Sequence, residues 1–123
     1  MDEVQLKKWT EQLLHYCHEA SSNFHNSRET GVEGDFFGEV KPFADKVKQL
    51  CEQWEPLAVQ WTIACAPKNL FPQQIKHTAE NIQMVSIRSF YPDSSLKRFK
   101  SHIQSIEYVL HRIMEEINEN KSR

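Results

Sequence analysis

Along the last third of the chain, Leu96, Phe99, Ile103, Ile106, Leu110, Ile113 and Ile117 step alternately by three and four, the spacing that lays apolar side chains on one helical face. Three earlier stretches carry the same period. Leu6, Trp9, Leu13, Tyr16 and Ala20, with Cys17 and Phe24 beside them, predict a first helix from about Asp2 to Ser27, about 40 Å long at ~1.5 Å per residue. Phe37, Val40, Ala44, Val47, Cys51, Trp54, Ala58, Trp61 and Cys65 predict a second, and Ile75, Ala79, Ile82, Val85 and Phe90 a third. The fourth runs to about Asn118.

The breakers agree with this division. A polar stretch, His25 to Glu33, follows the first helix, and all three glycines, Gly31, Gly34 and Gly38, fall within eight residues here, marking one flexible connection. Asp35 is suited to cap the second helix, and Pro42 fits its first turn, with 35–41 as an extended or loosely helical lead-in. Pro56 interrupts the backbone hydrogen bonding of that helix while the apolar stripe continues in phase, which predicts a kink and not a break. Pro67 and Pro72 bracket a short connection, Pro72 opens the third helix and Pro92 ends it, and Asp93, Ser94 and Ser95 offer capping oxygens to the fourth. Short connections force antiparallel neighbours. The expected architecture is all-α, an antiparallel up-down four-helix bundle, with residues 1–123 as a single domain.

Composition narrows the class. A chain of 123 residues with 39% hydrophobic and 26% charged residues can bury one core, and it lacks any apolar run near the ~20 residues of a membrane span. The N-terminus lacks the basic-then-apolar order of a signal peptide, and Cys17, Cys51 and Cys65 form no CxxC pair, which together indicate a cytoplasmic protein with cysteines used as small buried hydrophobes. The net charge of -2 divides unevenly: residues 1–66 hold 6 Lys/Arg against 11 Asp/Glu, and residues 67–123 hold 9 against 6. The two halves are electrically complementary, which favours their pairing and leaves one side more basic.

Chemistry-bearing residues are present, and most have a structural explanation. Glu11, His15, His18, Ser22 and His25 share one helical face, but opposite the apolar stripe, whereas bundle metal sites use inward-facing carboxylates and Glu-x-x-His pairs from several helices. No Glu-x-x-His occurs. Cys17 leans toward the core, as do Cys51 and Cys65 on their stripe, and buried thiols are poor nucleophiles. Lys97, Arg98, Lys100 and His102 crowd the first turns of the fourth helix while Glu115, Glu116 and Glu119 crowd its last. Both placements oppose the helix dipole, so either ion pairs with the acidic first half or an anionic partner must compensate. Phe36 and Phe37 are adjacent, point about 100° apart on a helix and cannot both enter one seam. One of them at the glycine-bearing connection would suit partner recognition.

The run Asp35-Phe36-Phe37-x-x-Val40-Lys41-Pro42, then Trp54, Pro67-Lys68 and Lys97-Arg98-Phe99-Lys100, resembles the YppE-like family of bacilli and related Firmicutes, over roughly residues 35–117. The resemblance implies an all-helical four-helix bundle and carries over no catalytic residue, cofactor or partner. Pro56 departs from the family pattern.

The expected function is therefore non-catalytic: a bundle that binds another protein, or a second copy of itself as a homodimer through an exposed helix face. No catalytic, cofactor-binding or metal-binding residue is assigned, and Phe36, Phe37, Lys97, Arg98 and Lys100 are the candidate partner-binding residues. The rival expectation is a bundle enzyme holding a metal or small ligand through histidines or its interior. A third, weak nucleic-acid or phosphate binding through Lys97, Arg98 and Lys100, sits poorly with a pI near 6.3.

Overall fold

The computed structural model describes residues 3–122, with side chains described to residue 119. Four helices follow one another: α1 (Glu3–Thr30), α2 (Lys41–Cys65), α3 (Pro72–Arg88) and α4 (Leu96–Ser122), with a single π-helical turn, Phe36–Val40, leading into α2. α2 packs most extensively on α3 and α1 on α4, so the acidic first half of the chain does lie against the basic second half. The ion pairs between described residues nevertheless all fall within single helices, from His15–Glu19 to Arg112–Glu116. Apolar packing, and not ionic pairing, joins the halves.

The fourth stripe is buried from Phe99 to Ile117, with Val109 added. Leu96 is the exception. At the first position of α4 it lies above the packed layer and is 39% exposed. On α1 the buried face is Leu6, Thr10, Leu13, Cys17, Ala20, Phe24 and Ser27, while Trp9 and Tyr16 flank it half-buried. The helix continues three residues past the expected Ser27, and its expected start at Asp2 lies outside the described residues. Thr10 and Ser27 enter the core because a local carbonyl accepts from each hydroxyl, Leu6 O at 2.7 Å and Phe24 O at 3.1 Å. Thr10 also accepts from the Trp54 indole N–H at 3.0 Å, so this fully buried tryptophan has its partner.

On α2 the expected stripe needs three corrections. Phe37 is 79% exposed, Phe43 and not Ala44 fills the first buried position after Val40, and Cys65 is exposed. The cause at the N-terminal end is the π turn. Val40 N–H bonds Asp35 O at 3.0 Å and Lys41 N–H bonds Phe36 O, both five residues back, so residues ahead of Val40 are rotated out of the α-helical phase. Pro42 supplies the reason for the wider turn: it lacks an N–H, and its ring crowds the carbonyl four residues back. At the other end α2 stops in a left-handed Ala66, and buried Pro67 and Leu70 close the core in place of Cys65. α2 runs unbroken through Pro56.

α3 opens at Pro72, where the Gln74 side chain accepts from the Phe71 N–H at 2.7 Å, and ends at Arg88, four residues before Pro92. Ser95 caps α4: its hydroxyl accepts from the Arg98 N–H at 3.3 Å. Among the loop glycines, Gly31 takes a φ of 70° to end α1 and bonds back to Ser27 O at 2.8 Å. Gly34 donates to Phe90 O at 2.9 Å, an approach so close that a β-carbon there would sit 2.7 Å from the Phe90 ring. The connection expected to be flexible is thus stitched to the end of α3. The buried apolar side chains form one contiguous core, and no buried side-chain polar atom among the described residues lacks a partner.

Candidate functional site: the loop end of the bundle

The up-down order places the α1–α2 connection and the α3–α4 connection at the same end. Both sequence-derived clusters therefore share one pole of the molecule, although some 60 positions separate them in the chain. At this pole Asp35 and Glu39 build a reciprocal cap. The Asp35 carboxylate accepts from Gly38 N–H at 2.6 Å, and the Glu39 carboxylate accepts from Asp35 N–H at 3.0 Å. The cap fixes the π turn that carries Phe36 and Phe37, whose rings meet edge-to-face with centroids 5.1 Å apart. Neither is buried: Phe36 is 52% exposed. At the start of α2, Phe43 makes edge-on contacts with Tyr16 and Phe90.

Lys97, Arg98 and Lys100 are exposed on the first turn of α4, and no ion pair involves them among the described residues. The expected compensation from the acidic first half is absent. The opposite end of α4 is handled locally, because Arg112 binds Glu116 at 2.9 Å and Glu115 at 3.3 Å and also donates to Lys68 O at 2.9 Å. The hydrogen bond from Arg112 to Glu116 holds its guanidinium still further above its already high ordinary range. Three cations at a helix N-terminus therefore stand uncompensated against the dipole.

The candidate metal row does not converge. His15, His18 and His25 are exposed, His15 lies 3.8 Å from Glu19 and His25 3.2 Å from Glu29. Among the described residues no three His, Cys, Asp or Glu side chains gather as a ligand set. The thiols divide by burial: desolvation, reinforced by Glu107, pushes Cys17 up to about 12, and desolvation with Glu55 nearby pushes Cys51 up to about 12. Exposed Cys65 is also raised, by residual desolvation first and Glu3 second.

One feature escaped the residue pattern. Between the last turns of α1 and the first of α4 lies an open groove of ≈ 500 Å³, floored by Phe24 and Phe99 and edged by Arg28 and Lys100. Phe24 to Arg28 and Leu96 to Lys100 are each spaced four apart, an apolar residue followed by a cation one turn on. That was visible, but which helices face each other was not.

The description "bacterial domain of unknown function (DUF1798)" matches residues 10–117, beginning well inside α1 and earlier than the quoted motifs. The chain is 25% identical over 118 residues to the uncharacterized protein YppE of Bacillus subtilis, covering 96% of each. The crystal structure of that protein superposes with a TM-score of 0.93 over 100% of both chains, and a Listeria innocua protein of unknown function does so with 0.93 at 28% identity, over 98% of this chain and 97% of that one. A Staphylococcus aureus structure at 19% identity shares the fold, with a TM-score of 0.88 over 95% of this chain and 99% of that one. Among the described residues no helix is long and apolar enough to cross a membrane.

Proposed function

The chain belongs to the bacterial DUF1798 family, and on that footing we propose that it is a non-catalytic, cytoplasmic interaction module whose loop end docks an acidic protein surface. One observation carries the reading. Phe37 presents its ring at 79% exposure, braced by Phe36, on a turn that is rigidly capped and not loose. An exposed aromatic pair held in place is an anchor whose apolar area is returned only when something covers it, and little conformational entropy is lost on docking. Lys97, Arg98 and Lys100 at the same pole select for negative charge and accelerate encounter. A second copy of the chain is the weaker occupant of this pole, because a two-fold pairing across it would set three cations against their own copies. Three free cysteines support a reducing compartment.

The test is site-specific photocrosslinking in the native host, with a benzophenone amino acid replacing Phe37 or, as a control, Glu52 on the exposed face of α2. The expected result is a discrete protein adduct from position 37 only, lost in the K97E/R98E/K100E variant. Equal labelling from both positions, or an adduct indifferent to the charge reversal, refutes the reading.

A further inference from the structure

The groove between α1 and α4 has a construction that the loop-end reading does not use. Its floor is the stacked pair Phe24 and Phe99, ring centroids 4.0 Å apart and planes 26° apart, continued by Ile103 and by the partly exposed Leu96. Two cations edge it. The Arg28 guanidinium is held in position by the carbonyls of Pro92 and Ser94, at 3.3 and 3.4 Å, and lies 5.6 Å from the Phe24 ring centroid. Both bonds use Nη1, so the Nε and Nη2 edge keeps its donors. Lys100 makes no ion pair among the described residues, and Glu29, the carboxylate at the rim, lies 3.2 Å from His25. An apolar floor with a pre-positioned guanidinium and a second cation at its edge is complementary to a molecule with an apolar body and an anionic head.

The geometry points to a ligand site for a free medium-chain aliphatic carboxylate, its chain over Phe24, Phe99 and Ile103 and its head between Arg28 and Lys100. Charge and size favour a small amphiphile: the two cations at the rim call for an anionic head, and the groove's ≈ 500 Å³ lies within the range of small-molecule sites. The site shares Lys100 with the loop-end cluster but uses none of Phe36, Phe37, Lys97 and Arg98.

Titration of the methyl-labelled full chain with sodium decanoate, below its micelle concentration and followed by NMR, tests the assignment. Saturable shifts of Ile103 and Leu96 methyls are expected, with decanol at least tenfold weaker and the surface variant R28Q/K100Q losing at least tenfold in affinity with its helical circular dichroism unchanged. I103W, which fills the floor, abolishes the shifts. Equal binding of decanol and decanoate, unchanged affinity in R28Q/K100Q, or shifts dispersed over other faces overturns the site. So does co-sedimentation with phosphatidylglycerol vesicles without saturable decanoate binding, which would make a membrane surface the occupant.

Discussion

Replacing Thr10 by valine should cost this bundle about 2 kcal/mol, although the two side chains have nearly the same shape. Thr10 is fully buried, and its hydroxyl does two things: it donates to Leu6 O at 2.7 Å and accepts the Trp54 indole N–H at 3.0 Å. Leu6 O keeps its ordinary helical bond when the hydroxyl goes. The indole N–H, on a tryptophan with no exposed surface, keeps nothing. A buried donor left without a partner costs ~1–3 kcal/mol, to which the β-branched side chain adds little, since threonine is already branched. An unfolding entropy of ~2.1 cal/mol/K per residue gives about 0.26 kcal/mol/K for a chain of this length, so Tm should fall by roughly 8 °C. In urea, with a slope of ~1–3 kcal/mol/M, the midpoint should move down by about 1 M at unchanged slope. The decisive control is the W54F background, where the donor itself is gone: there T10V should be neutral within ~0.5 kcal/mol, leaving a coupling energy of about 2 kcal/mol. An equal loss in both backgrounds, or no loss in the natural sequence, would show that the indole bond does not hold the helices together.

Three further outcomes follow from the same packing. G34A should destabilise by about 1–3 kcal/mol through forced displacement of Phe90, measurable by urea unfolding, and a change below ~0.5 kcal/mol would mean that the α1–α2 connection is not fastened to α3. A thiol reagent at pH 8 should modify Cys65 alone in the folded protein and all three cysteines in urea. Because Cys17 and Cys51 are raised in the fold to about 12, the native state holds protons that the unfolded chain releases. Stability should therefore fall as pH rises from about 9 toward 12, by up to ~1.4 kcal/mol per pH unit for each thiol, and C17A/C51A should flatten that slope.

The legible part of the fold is the part where period and burial coincide. Ile106, Leu110, Ile113 and Ile117 read as core and are core, because a regular α-helix packed along its whole length converts sequence spacing directly into one face. The reading failed at element ends. Phe37 sits ahead of a π turn that shifts the phase, Cys65 lies beyond the layer that Pro67 and Leu70 close, and Leu96 precedes the first packed turn of α4. Periodicity assumes a neighbour opposite each turn, and at these three positions there is none. Thr10 and Ser27 failed in the other direction: polar by type, they are buried because a helical carbonyl takes their hydroxyl hydrogen. For the candidate site, residue type singled out Phe36, Phe37, Lys97, Arg98 and Lys100, but nothing in the order of residues showed that they share a pole.

By itself, then, the order of residues determined four helices, their approximate bounds, the short connections that make them antiparallel, and a core of aliphatic and aromatic side chains. These are local consequences of a 3.6-residue period and of proline and glycine chemistry. Tertiary packing decided which helix faces which, and so created the α1–α4 groove from Phe24 and Arg28 on one helix and Phe99 and Lys100 on another. It also left the Lys97 cluster without ionic partners among the described residues while Arg112 gathered its own. The physical reason is that a helix propagates through bonds four residues apart, whereas a site is made by side chains brought together across the bundle, and their contact depends on the relative rotation of helices that no single stripe records.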